Sequence, residues 1–223
     1  MVEIFYQLVV FLFAISVHES AHAWTASRCG DPTARMLGRV TLNPIRHIDP
    51  IGTVVLPLVA AISGMPVLGW AKPTPVDPRN FRNPVMDDIL VSVAGPVSNF
   101  IVATGALLLL GGISLSSPSA HELVMGLRHR FSGGSSDSAL APVAVLLYEL
   151  MLINIVLAVF NLIPVPPLDG SHVLRHFLPD PARMVYDRIG IFGLIALVYL
   201  GGGLLSSLIR PFVRFYLSIL VKF

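Results

Sequence analysis

IFYQLVVFLFAISVHESAHAWTAS, residues 4–27, runs twenty-four residues without a Lys, Arg, Pro or Gly. At about 1.5 Å per residue such a helix is long enough to cross roughly 30 Å of hydrocarbon. Arg28, Gly30 and the Asp31-Pro32 pair then stop it. The stretch has no basic front and no small-residue cleavage site, and it carries His and Glu, so it reads as a retained helix rather than a leader.

Working outward, residues 87–113, 141–163 and 189–209 repeat the pattern of long apolar runs. Residues 51–70 are apolar too, but Pro57, Gly64 and Pro66 interrupt them, and a Pro-rich loop follows (AKPTPVDPRNFRNP, residues 71–84). Residues 34–43 (ARMLGRVTLN) suit a short strand, and residues 132–138 (SGGSSDS) a flexible turn. The tail, residues 210–223, alternates basic and apolar residues, fitting either the membrane interface or a partial return through it.

Composition agrees: 54% of residues are hydrophobic and only 13% charged, and the mean hydropathy is +0.77. A soluble chain of this size carries about 25% charged residues. The expectation is an all-α polytopic membrane protein of four to six transmembrane helices. It includes a re-entrant segment at 51–70 and room for a short membrane-associated β element at 34–43. The whole chain, 1–223, reads as one membrane-embedded domain with its core at about 4–27, 87–113 and 141–175. A net charge of +2 gives no footing for a nucleic-acid partner, and the single cysteine, Cys29, excludes an internal disulfide. Cys29 reads as a small packing residue.

The fifteen Lys and Arg all fall outside these spans. Residues 28–50 hold four, 71–88 three and 164–188 three, against two in 114–140 and three in the tail. By the positive-inside rule the richer loops are cytoplasmic and the N-terminus is outside, although the tail's charges run against that arrangement. Segment 51–70 then has cytoplasmic charge on both sides, which is why a re-entrant path is expected for it.

The first helix carries the chemistry. In HESAH, residues 18–22, His18 and His22 lie one turn apart on the same face and can offer imidazole nitrogens to one metal ion. Glu19, rotated about 100° from His18, can reach a water on that ion without being a ligand. Ionisable groups inside a membrane helix are costly and mark function by default. The bland alternative is polar packing between helices or a proton relay. A catalytic zinc needs a third protein ligand and an open position. The candidate is Asp169 in NLIPVPPLDG, residues 161–170, where Pro164, Pro166 and Pro167 break the helix ending near Asn161. Irregular backbone at membrane depth is tolerated where it is buried in protein or lines a wet cavity. The alternative there is a plain loop acid at the surface.

Taken together, HESAH, AGPVSNF (residues 94–100) and the Asn161–Asp169–Gly170 segment, in that order, resemble the site-2 protease family of intramembrane zinc metallopeptidases. The likeness is closest to the small prokaryotic type without a PDZ domain. It implies one Zn2+ per chain held by His18, His22 and Asp169, with Glu19 as catalytic acid/base and Asn161 near the reaction centre. Asn99 and Gly170 would support the site. It further implies a multi-pass protein of the cell membrane that cuts transmembrane protein or peptide substrates within the lipid bilayer, and the loop charges put the opening of the active site on the cytoplasmic side.

The remaining histidines are weaker candidates. His172 and His176, again four apart, read as surface residues, with a second metal pair as the alternative. His47 reads as structural, and His121 and His129 lie in the expected outer loop. Two rival functions stay open: an ion or proton transporter using the buried His and Asp, and a non-catalytic chaperone binding membrane helices in the same cleft. A metallopeptidase taking its third ligand from a later Glu has only Glu122 and Glu149 to use, and neither is as well placed as Asp169.

Overall fold

The computed structural model describes residues 2–55, 59, 70–127 and 139–223. Its elements are helices: α1 (Val2–Cys29), α2 (Thr33–Met36), α3 (Pro84–Ser114), α4 (Pro118–Gly126), α5 (Ala141–Asn161), α6 (Asp169–Arg175), α7 (Asp180–Leu200) and α8 (Gly202–Leu220). Among the described residues, four helices are long and apolar enough to cross a membrane: α1 from Tyr6, α3, α5 and α8. The protein is therefore an all-α polytopic membrane protein, as its apolar runs predict.

α3 is the hub, packed along α5 and α1, while α1 also touches α5. Where the helices meet, small side chains are buried: Ala14, Ala23 and Ala26 on α1, Ala103 and Ala106 on α3, Ala144 and Ala158 on α5. Lipid tails are as apolar as leucine, so membrane helices associate through close packing, which small residues permit. Leu107, Leu110, Met151 and Ile155 fill the α3–α5 seam, and Tyr216 and Leu220 of α8 close it. Ile101, Leu108 and Leu109 of α3 remain exposed, an apolar face suited to lipid.

α1 ends where Gly30 adopts φ 114° and the Asp31 N–H bonds back to the Ala26 carbonyl, the glycine-terminated cap expected of such a stop. A side chain at Gly30 would also meet the Asn80 carbonyl at 2.7 Å. Beyond it, Asp31 is fully buried and gathers the Thr33 N–H and hydroxyl, the Asp77 N–H and the Asn80 amide. One carboxylate thus ties the end of α1 to the loop before α3. Cys29 packs there with Ala26, Phe81 and Val91, the packing role expected of it.

Three expectations need correction. Residues 34–43 do not form a strand: Thr33–Met36 is a helical turn, and Gly38, at φ 67°, lets the Arg39 N–H bond back to the Ala34 carbonyl. The left-handed glycine coils the chain where its composition suggested extension. The run 189–209 is not one span either. Gly190 breaks α7 with φ 47° and ψ −140°, Gly201 separates α7 from α8, and the fourth candidate span is Gly202–Leu220. Consequently the tail is mostly α8, and Arg210 and Arg214 lie within a candidate span rather than outside all of them. Most of segment 51–70 lies outside the described residues. Its ends do meet: the Trp70 N–H bonds to the Gly52 carbonyl at 3.2 Å, and the Thr53 hydroxyl donates to the Trp70 carbonyl at 2.8 Å.

Candidate metal centre

Buried His18 and His22 project from α1 toward α3, their Nε2 atoms 3.0 Å apart. α3 can come this close because it presents Gly95: a Cβ there would sit 2.4 Å from His22 Nε2 and 2.6 Å from His18 Cε1. The adjoining Pro96 has no N–H and interrupts the helix's own ladder, and in that turn His22 Nδ1 lies 2.7 Å from the Val91 carbonyl.

Asp169 arrives from the other end of the chain. α5 stops at Asn161, the proline-containing segment turns, and Asp169 opens α6. The reversal is tight enough that a Cβ on Gly170 would meet the Leu162 carbonyl oxygen at 2.2 Å, so glycine is the residue the turn admits. Tyr186 braces the turn by donating to the Pro164 carbonyl at 2.9 Å. At its far end α6 is tied to α3 by His176 Nε2 and Asp88 Oδ2, 2.7 Å apart. Asp169 Oδ2 thereby lies 3.1 Å from His18 Nε2 and 3.4 Å from His22 Nε2.

Hydrogen-bond direction around the site can be worked out from the periphery. Asn154 on α5 donates its amide to the Leu150 carbonyl, so its oxygen is the acceptor for Asn99 Nδ2 at 2.7 Å. Asn99 Nδ2 also reaches the Ala14 carbonyl at 3.3 Å, leaving Asn99 Oδ1 to accept from His18 Nδ1 at 2.6 Å. His22 Nδ1 faces a carbonyl and must be a donor as well. Both Nε2 atoms therefore turn lone pairs inward, the tautomer a metal-ligating imidazole adopts when its other nitrogen donates to an outer partner.

The donor set fits a zinc ion. Two nitrogen lone pairs and a carboxylate oxygen converge, and Asp169 Oδ2 is buried without a hydrogen-bond partner. Bonds of about 2.0–2.1 Å in a tetrahedral site place ligand atoms roughly 3.3 Å apart. The three separations, 3.0, 3.1 and 3.4 Å, are of that size. Among the described residues this is the one group of three His, Cys, Asp or Glu side chains close enough to share an ion.

His18, Glu19, His22, Asn161 and Asp169 all line one cavity of about 670 Å³, together with Thr74, Asp88, Val91 and His172. Glu19 is engaged by Thr74, whose N–H and hydroxyl approach Oε2 at 2.9 and 2.7 Å. Asn161 donates one amide hydrogen to the Leu157 carbonyl at 3.0 Å. Four residues at or beside the centre escaped sequence reasoning: Gly95, Asn154, Thr74 and Asp88. Asn154 carried a signal, being an amide in an apolar helix seven residues before Asn161, and Gly95 sits inside the AGPVSNF motif.

His172 and His176 do not close a second metal site. His176 bonds Asp88, whereas half-exposed His172 stands 4.0 Å from the same carboxylate. His47 is buried, burial lowers its pKa, and its Nε2 lies 2.8 Å from the Thr41 carbonyl, the surroundings of a packed loop histidine. His121 bonds the Ser114 hydroxyl at 3.0 Å, and His129 lies outside the described residues.

A bundle of membrane-length helices holding two imidazoles, a distant aspartate and an adjoining glutamate in one cavity defines a multi-pass metallopeptidase. The sequence profile of Peptidase family M50 matches residues 6–200, and the chain belongs to that family; it is a zinc metalloprotease. It is 36% identical over 196 residues to the "Putative zinc metalloprotease YwhC" of Bacillus subtilis, covering 87% of this chain and 79% of that one. It is 30% identical over 174 residues to the "Putative zinc metalloprotease Rip2" of Mycolicibacterium smegmatis and, equally, of Mycobacterium tuberculosis. Those matches cover 77% of this chain and 57% of each Rip2 protein, so the chain spans just over half their length. No solved structure matches the chain.

Proposed function

We propose that this protein is an intramembrane endopeptidase that hydrolyses peptide bonds in or near the transmembrane helices of membrane protein substrates, in the manner of regulated intramembrane proteolysis. The observation that carries the reading is the approach of the Asp169 carboxylate, from short α6, to the His18 and His22 nitrogens of membrane-length α1, the three donor atoms lying 3.0–3.4 Å apart. His18, His22 and Asp169 hold the zinc. Zinc, when bound, supplies a Lewis acid that makes water nucleophilic near neutral pH and polarises the scissile carbonyl. Glu19 takes the proton from the attacking water and returns it to the leaving amine. Asn161, which lines the same cavity and keeps one amide hydrogen outside its bond to Leu157, donates it to the developing oxyanion.

His22 and His18 lie six and ten residues before Arg28, roughly 9–15 Å along the helix. With basic loops on the cytoplasmic side, the active site opens there and the N-terminus faces outward. The apolar cavity wall and exposed helix faces suit a substrate helix arriving laterally from lipid, locally unwound because helical peptide bonds are shielded.

The test is cleavage of a membrane-spanning reporter peptide by purified protein, alongside zinc analysis. Glu19→Gln retains one zinc per chain and loses cleavage, whereas His18→Ala, His22→Ala and Asp169→Ala lose zinc. Full activity in Glu19→Gln sinks the proton-carrier assignment. Ion flux without hydrolysis would point to a transporter instead.

A further inference from the structure

Glu19 Oε2 receives two hydrogen bonds, and both come from one residue fifty-five positions away. Thr74 N–H donates at 2.9 Å and the Thr74 hydroxyl at 2.7 Å; the hydroxyl also stands 3.1 Å from the Glu19 main-chain oxygen. A hydroxyl has one proton to give, and the nearer, charged oxygen is the stronger acceptor. The loop is built to deliver these donors. Thr74 lies between Pro73 and Pro75, so it owns the one N–H in that tripeptide, and the following proline confines it to extended backbone. Buried Arg39 spreads its guanidinium over the carbonyls of Arg46, Lys72 and Pro73, and the Lys72 N–H bonds to the His47 carbonyl at 2.8 Å. A buried cation thus anchors the two residues immediately before Thr74.

We infer that Thr74 is a positioning residue for proton transfer: its paired donors fix the Glu19 carboxylate by Oε2 and present Oε1 to water in the cavity, with Arg39 bracing the loop that carries them. The inference rests on the reading of Glu19 as the proton carrier. A glutamate side chain has three rotatable bonds and would otherwise lose much of its time to unproductive rotamers. Holding it costs nothing at the moment of reaction, because two prolines and Arg39 have already ordered the clamp.

Steady-state cleavage of a membrane-spanning reporter peptide tests it with three variants. Thr74→Val keeps shape and N–H but removes the hydroxyl, and is expected to lower kcat about 10- to 100-fold with KM and zinc content little changed. Thr74→Ser restores the hydroxyl and is expected to recover most of kcat. In a Glu19→Gln background, Thr74→Val is expected to remove nothing further, since its effect passes through Glu19. Wild-type kcat in Thr74→Val, a rise in kcat, or loss of zinc overturns the inference, as does Thr74→Ser falling as far as Thr74→Val. If Thr74→Val fails to fold, Thr74→Ala against Thr74→Ser decides, and equal rates overturn the clamp. Wild-type cleavage by Glu19→Gln would instead remove the reading beneath it. An inactive Glu19→Gln beside a fully active Thr74→Val removes the clamp alone.

Discussion

Asn154 on α5 accepts a 2.7 Å hydrogen bond from the side-chain amide of Asn99 on α3, and both residues are fully buried. That bond fixes which way Asn99 faces, and through it which nitrogen of His18 on α1 donates. Replacing Asn154 with Leu removes the acceptor and frees Asn99 to rotate, so His18 loses its oriented outer partner. Zinc affinity should fall about 10- to 100-fold, the usual consequence of losing such outer support. Competition against a zinc chelator measures it, and wild-type affinity in Asn154→Leu would show that Asn99 holds His18 unaided.

Gly95 makes a sharper test because a single methyl is at stake. Alanine there would place Cβ 2.4 Å from His22 Nε2, inside the ligand set. α3 or α1 must shift, and overpacking of this kind costs about 1–3 kcal/mol, which is roughly 5- to 150-fold if taken from zinc binding. Gly105→Ala on the same helix is the control, since a Cβ there meets nothing within 4 Å. Equal zinc content in the two variants would mean that α3 can yield at Gly95 without disturbing the histidines.

How far the chain could be read beforehand follows from the range of the forces involved. His18, Glu19 and His22 are legible because helical periodicity puts them together. Asp169 is legible because prolines 164, 166 and 167 announce a break that needs a reason at membrane depth. Thr74 is not, because its partner Glu19 is brought to it by loop packing around Arg39, which no local pattern encodes. The strand expected at 34–43 failed because Thr33–Met36 turns as helix and Gly38, at φ 67°, curls the chain after it, and the span expected at 189–209 failed on Gly190 and Gly201. Hydropathy sums a window and cannot see a glycine turn inside it. Asn154 could have been found, since an amide within an apolar span needs a partner.

Asp31 should give the loop layer a pH-dependent share of its stability. Burial works to raise its pKa, but donors from Thr33, Asp77 and Asn80 outweigh this and hold the carboxyl below its ordinary value of 3.8. A depressed folded-state pKa stabilises fully above the unfolded value and is lost as pH falls through the folded one. The thermal midpoint of Asp31→Asn in detergent should therefore lie below wild type by a constant amount from pH 7 to about pH 5, with the gap closing below about pH 4. Asp31→Ala, which leaves several donors unpaired, should lose about 1–3 kcal/mol at pH 7. A gap that widens on acidification would contradict the assignment of Asp31 as an ionised acceptor.

The tie between Asp88 and His176 bears on the metal through geometry rather than stability. The pair is partly exposed, with side-chain accessibilities of 15% and 20%, so its own worth is modest, about 0.2–1 kcal/mol. It nevertheless fixes the far end of α6, and the first residue of that seven-residue helix is Asp169. Loosening it lets the carboxylate drift from the two imidazoles, so Asp88→Ala and His176→Ala should each weaken zinc binding about two- to fivefold with little change in thermal midpoint. The double variant should be no worse than either single, because both remove the same bond. His172→Ala should leave affinity unchanged, its ring being 4.0 Å from Asp88 and half exposed. Additive losses from Asp88→Ala and His176→Ala, or a loss from His172→Ala as large as theirs, would mean that the cluster acts on the centre by its charge and not by holding α6 in place.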